Sequence, residues 1–370
     1  MTHKSLVKSF VLLISLVMAT ASFAEGGRTP LRVKNGIVTS ASRLASQAGV
    51  DAMRAGGNAV DAAVATAFAL AVTLPTAGNI GGGGFMVYHG EDGDATTFDF
   101  REKAPLAATE RMFLGLDGNV VNNSNHMGAL SVGVPGTVAG LWKAHQERGS
   151  LPWEQLVAPA IKLAREGISI SYSLQSGFLR NKSRFDLYPS SQQKFFKADG
   201  SSYELGELWV QEDLAHTLEL IQKNGRDGFY KGENAKRLAD FMAANGGIIT
   251  EEDLEIYQPI EREPVRGTYR GYEIVSMPPP SSGGVALIQM LNILEGYDLG
   301  AMGHNSSAYL HVLTESMRRA YADRAEHLGD PDFNEAMPIA RLMDKNYAVK
   351  QRATIDMAKA DISDPSKFAE

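Results

Sequence analysis

Cysteine is absent from all 370 residues, which removes thiol catalysis, disulfide staples and Cys-built zinc sites. Histidine is sparse at eight residues, with neither an H-E-x-x-H pair nor a tight His–carboxylate cluster, so no metal ligation is expected. Dense Lys/Arg runs are missing and the formal charge is −7. A nucleic-acid partner, which needs a clustered cationic face, is therefore not expected. Long apolar runs are lacking as well: none has the length of a full bilayer span. What is present, 44% hydrophobic and 21% charged residues, is the balance of a globular chain able to bury a large core.

The one sizeable apolar stretch, "FVLLISLVMATA", follows Lys4 and Lys8 and precedes "ASFA", with small residues at Ser22 and Ala24. That is the plan of a cleaved export leader. Residues 1–24 are expected to be removed, leaving 25–370 as the mature region, outside the cytoplasm and off the membrane.

Ser42 is placed to cap a helix over "RLASQAGVDAMRAG", and Asn58 a second from Ala59 to about Leu74. The small residues of the second imply close backbone packing. "FMVYHG" and "ATTFDFRE", separated by "EDGD", read as a hairpin. Helical stripes follow at Val138/Leu141/Trp142/His145 and Trp153/Leu156/Ala160/Leu163. "TEED" at 250–253 has capping-box form. Residues 263–277 are strand-like, with Gly267 and Gly271 as turn or bulge positions. "VALIQMLNILEG" reads as a buried helix, and another helix runs from about Ser307 to His327. Regular strand–helix alternation is missing, which points to a layered α+β architecture.

Four stretches could carry chemistry. "NIGGGGFMVYHG" has neither the lysine of a Walker loop nor the strand-then-helix order of a dinucleotide fingerprint; its glycines are read as close backbone packing. In "TTFDFREKAP", period-2 alternation puts Thr97, Asp99 and Arg101 on one face. An arginine fixed at a strand end can clamp a carboxylate through its planar fork, or can form an ion pair with Asp99, Glu102 or Glu110. In "PPPSSGG", Ser281 and Ser282 lack a G-x-S-x-G elbow and a base, so their hydroxyls are expected to cap the next helix. "RRAYADRAEHLGDPD" looks like an exposed mixed-charge helix surface.

Five stretches, in order along the chain, resemble bacterial γ-glutamyltranspeptidases: "GGNAVDAAVATAFALAVTLPTAGNIGGGGFMV", "FDFREKAP", "VGVPGTVAGL", "PVRGTYRGYEIVSMPPPSSGG" and "AYADRAEHLGDPD". The resemblance extends from about residue 32 to the end. It implies the αββα four-layer fold of the Ntn hydrolases and a periplasmic precursor that cleaves itself into a large and a small subunit. An N-terminal threonine of the small subunit would attack the γ-glutamyl amide of glutathione or a related compound. The acyl group would then pass to water, an amino acid or a dipeptide, without metal or organic cofactor. Arg101 matches the family arginine that binds the glutamyl α-carboxylate. The junction, a Thr-Thr-His-Tyr-Ser-like motif, does not occur before Glu370. The expectation is thus a large-subunit region with its small subunit as heterodimer partner, no catalytic residue in this chain, and no activity for this chain alone. The rivals are a cephalosporin or glutaryl acylase of the same fold and a periplasmic solute-binding protein. The latter calls for two lobes of alternating strands and helices, which the sequence lacks.

Overall fold

Ser42 adopts extended geometry and accepts the Ala45 amide at 3.4 Å, satisfying a first-turn donor of helix α1, Arg43–Arg54. Asn58 does the same for α2, Ala59–Thr73, in a reciprocal capping box: its side chain takes the Val60 and Asp61 amides, and Asp61 takes the Asn58 amide at 2.8 Å. The computed structural model describes residues 32–362; the leader at 1–24 lies outside them. Helix α2 is buried on nearly every side, and α1 crosses it at Gly49, where a Cβ would lie 2.3 Å from Thr66 Oγ1. The small residues therefore serve the close approach read from the sequence.

Strands β1, Phe85–His89, and β2, Ala95–Asp99, form the expected hairpin, with Phe85 opposite Asp99 and His89 opposite Ala95. Helices α3, Thr137–Arg148, and α4, Trp153–Glu166, follow. Trp153 meets Phe68 edge-on at 5.4 Å and Trp142 at 4.9 Å, joining α2, α3 and α4 in the main core. His145 is buried in its stripe, its Nε2 2.7 Å from the Leu151 carbonyl. A short ladder pairs β3, Ile168–Ser169, with β4, Leu208–Trp209. Helix α5, Glu212–Asn224, packs on α4. Helix α6, Glu251–Ile256, opens with the Thr250–Asp253 capping box.

Strand β5, Ile260–Arg262, completes a three-stranded sheet in the order β1-β2-β5, all antiparallel. The central strand β2 is buried on both faces rather than half-buried. Phe98 enters the main core on one side. On the other, Arg262 shields the polar residues: its carbonyl accepts the Thr97 hydroxyl at 2.8 Å, and its Nε reaches Asp99 at 2.8 Å.

Strands β6, Val265–Tyr269, and β7, Tyr272–Ser276, make a second hairpin. Its two-residue turn, Arg270–Gly271, has φ values of 49° and 85°, as a tight hairpin turn demands. Gly271 is thus a turn residue, but Gly267 is neither turn nor bulge. It sits in regular register opposite Ile274, and a Cβ there would come within 2.7 Å of Ile288. Ile288 belongs to α7, Gly283–Leu294, which lies on this hairpin.

Helix α8, Ser307–His327, is where the sequence reading fails most clearly. Of its charged residues, Glu315, Arg319 and Asp323 are buried, not displayed. Arg319 is bonded to Glu315 at 2.7 Å, to the Gln351 and Thr354 carbonyls at 3.1 and 2.9 Å, and to Thr354 Oγ1. Asp323 receives Gln289 of α7 and Tyr347 of α9, Lys345–Ala353. Burial raises the Asp323 carboxyl above its ordinary range despite these donors; burial and the nearby carboxylate push the Tyr347 phenol up to about 12. A smaller core of Val265, Val285, Ile288, Leu342 and Tyr347 fills the space between the second hairpin, α7 and α9.

Residues 38–362 belong to one compact unit. Among the described residues the strands fall into one three-stranded sheet and two ladders, all antiparallel, with helices in blocks between them. This is the α+β arrangement expected. No described helix is long and apolar enough to cross a membrane.

Candidate substrate-binding cleft

β2 ends at Asp99, and Arg101 and Glu102 just beyond it line an open cleft of about 510 Å³. Pro280 and Ser282 of the loop before α7, Arg324 and Ala325 of α8, and Leu328 to Asp330 complete the lining. Three distant stretches meet here: the first hairpin, the proline–serine loop and the end of the charged helix.

The glycine run is what lets the chain beyond β2 reach this place. Gly84 and Phe100 exchange two backbone hydrogen bonds at 3.1 and 3.3 Å. A Cβ on Gly83 would stand 2.6 Å from the Phe100 carbonyl and 2.8 Å from the Glu102 amide. The Gly82 carbonyl accepts the Gly136 and Thr137 amides at the start of α3. Gly81 faces open space, so the close packing read from the run is realised at Gly83 and Gly84.

Arg101 has its backbone held at both ends. Its amide donates to Asp99 Oδ1 at 3.1 Å, and its carbonyl accepts the Tyr257 hydroxyl at 2.8 Å. Its side chain is exposed, and its Nη1 makes only a long contact, 3.5 Å, to the Pro280 carbonyl. Among the described residues no carboxylate forms an ion pair with it. Asp99 is engaged by Arg262, whose Nη2 also reaches Asp332 at 3.4 Å. None of the three candidate partners, Asp99, Glu102 and Glu110, is ion-paired with Arg101, and Asp99 is taken by Arg262.

Ser282 does not cap α7; its hydroxyl accepts Arg324 Nε at 2.7 Å. Ser281 accepts the amide of Gly283, the first residue of α7, at 3.3 Å, so one of the two hydroxyls meets the helix start as expected and the other faces the cleft. The lining carries two guanidinium groups, of Arg101 and Arg324, and two carboxylates, of Glu102 and Asp330. Such a mixed-charge cleft suits a ligand bearing both a carboxylate and an ammonium group. Its lining holds no histidine, lysine or cysteine. No group of three or more His, Asp or Glu among the described residues could hold a metal ion.

Arg101 was legible in the sequence. Arg324 lies in a charge-rich helix that gives no sign of a cleft, and the Ser282 hydroxyl differs from the expected cap by meeting Arg324. Arg262 and Tyr257 carried no motif; only the fold brings them to Arg101.

The family model described as Gamma-glutamyltranspeptidase matches residues 45–370. A "Glutathione hydrolase proenzyme" from Pseudomonas sp. (strain A14) is 46% identical over 357 residues, covering 96% of this chain and 62% of that protein. An "Acylase ACY 1 proenzyme" from Pseudomonas sp. (strain SE83) is 40% identical, covering 90% of this chain and 60% of its own length. The chain therefore spans about three fifths of the curated relatives it matches. The crystal structure of Helicobacter pylori gamma-glutamyltranspeptidase superposes with a TM-score of 0.88 at 47% identity, covering 92% of this chain and 97% of that one.

Proposed function

The chain belongs to the γ-glutamyltranspeptidase family, and from that premise we propose that it is the donor-holding large-subunit region of a γ-glutamyltransferase and glutathione hydrolase. Its fold is α+β, that of the Ntn hydrolases. In the proposed reaction, Arg101 receives the α-carboxylate of glutathione or another γ-glutamyl compound. A threonine hydroxyl from the family's small subunit attacks the γ-amide carbon, and the amine departs. Water, an amino acid or a dipeptide then takes the acyl group. The small subunit is the heterodimer partner in this proposal. Export to the periplasm, with removal of residues 1–24, belongs to it as well.

The observation that carries the reading is the Arg101 guanidinium: exposed, without an ion pair among the described residues, and fixed by its backbone at the edge of a cleft. A second support is extent. The chain covers 97% of a solved γ-glutamyltranspeptidase chain but only 62% of a proenzyme, as a large-subunit region would.

Arg101→Gln in the complete, matured protein tests it. Charge-assisted bonds of this kind contribute about 1.5–3 kcal/mol, so KM for a γ-glutamyl anilide should rise roughly 10- to 100-fold. An unchanged KM removes Arg101 from the site. The acylase alternative is separated by a different group. Glutaryl and γ-glutamyl amides share the terminal carboxylate and differ in the α-ammonium, so Arg101 serves either. Preference for the γ-glutamyl donor must come from groups that read the ammonium. Equal kcat/KM for the two donors would favour the acylase reading.

A further inference from the structure

The Tyr257 hydroxyl donates to the Arg101 carbonyl at 2.8 Å, and the ring that carries it is 2% exposed. That ring stacks on Tyr230 at 5.7 Å with an interplanar angle of 11°. Arg226 covers the Tyr230 ring at 4.7 Å, and the Lys103 ammonium lies 5.7 Å from the Tyr257 ring centre. Each of the two stacked rings thus has a cation over it. Arg226 also grips the backbone of Tyr257, donating to its carbonyl at 2.6 Å. Opposite the hydroxyl stands Gly136, where a Cβ would come 2.1 Å from the Tyr257 oxygen and 2.1 Å from the Phe100 carbonyl. The path of this hydroxyl to the strand end is thus kept open by a residue without a side chain. The Tyr230 hydroxyl has other work: it donates to the Pro135 carbonyl at 2.7 Å and accepts the Ala139 amide at 3.3 Å.

The geometry points to Tyr257 as a positioning residue for the donor carboxylate, acting through the backbone of Arg101 and not by touching substrate. The inference rests on the preceding reading of Arg101. A peptide unit free to rock at the end of β2 would swing the guanidinium, whose side chain has only the long Pro280 contact to restrain it. The Asp99 carboxylate ties the peptide unit before the Arg101 Cα and the Tyr257 hydroxyl ties the one after it, so the backbone on both sides of this side chain is held. Deleting the hydroxyl leaves the carbonyl without this donor, while the ring stack stays in place.

Matured forms of the complete protein test this: wild type, Tyr257→Phe, Arg101→Gln and the double variant, with Tyr230→Phe as control. Tyr257→Phe should raise KM for a γ-glutamyl anilide about 3- to 10-fold with kcat nearly unchanged, as loss of one hydrogen bond implies. In the Arg101→Gln background the same change should cost kcat/KM nothing further, because the guanidinium it positions is gone. Tyr230→Phe, which removes a hydroxyl from the same stack, should lower Tm and leave KM alone. An unchanged KM for Tyr257→Phe overturns the inference. So does an equal loss in the Arg101→Gln background, or an equal KM rise in Tyr230→Phe. If Arg101→Gln itself leaves KM unchanged, the reading of the cleft fails first, whatever Tyr257 does.

Discussion

Asp61 lies wholly buried at the start of α2 with four donors on its two oxygens: the amides of Asn58, Ser150 and Leu151 and the hydroxyl of Ser150. Burial opposes its ionisation, but the Ser150 hydroxyl and the three amides together outweigh that and hold the carboxyl below its ordinary value. A folded-state value below the unfolded 3.8 means that this carboxylate adds stability in full above about pH 3.8. The contribution fades as pH falls through the lowered folded value. Asp61→Asn turns an NH2 group toward donors and should cost about 1.5–3 kcal/mol at neutral pH. Its stability should also fall less steeply below pH 3.8 than that of the wild type, which thermal melts across pH 2–7 would measure. An unchanged acid limb would remove Asp61 from the account. Asn58 was readable as a cap because its partners are its own neighbours. The tie to Ser150 was not, since nothing local announces a partner 89 positions away.

At the scale of elements, legibility follows the same division. Both helix starts, the first hairpin and the Thr250 capping box appear where the sequence puts them, because caps, turns and periodicity are local. The burial of β2 on both faces and of the charges on α8 depends on elements far along the chain. Charged residues are seldom buried unless paired, so a run such as "RRAYADRAEHL" naturally reads as surface. Here Arg319 spends its guanidinium on Glu315 in its own helix and on the carbonyls of Gln351 and Thr354 where α9 ends. It therefore pins α9 to α8. Removing one partner of a buried pair strands the other, and Arg319→Met should cost about 3–5 kcal/mol. The loss should be concentrated at the docked end. Amide exchange at Gln351–Ile355 should accelerate more than exchange in α1 or α2, and uniform acceleration would contradict the pin.

Across the whole molecule, the cleft is built where stretches from separate parts of the chain meet. The first hairpin delivers Arg101, Arg262 links Asp99 beneath it to Asp332 on the far loop, and α8 delivers Arg324. The two links made by Arg262 span 163 and 70 positions, which is why the sequence points to Arg101 but not to the other residues around the cleft. Two guanidinium groups and two carboxylates can orient a zwitterionic donor, but orientation alone breaks no amide. The lining offers one serine, Ser282, already bonded to a guanidinium, and no histidine. Expressed alone, the 370-residue chain should give no turnover of a γ-glutamyl anilide above a heat-killed control. Expressed with the remainder of the coding sequence that the proposal requires, it should turn the anilide over, and adding an acceptor dipeptide should raise release of the aniline by opening a second exit from the acyl-enzyme. Turnover by the isolated chain would mean that a nucleophile lies within these residues, and the division of labour between the two subunits would have to be abandoned.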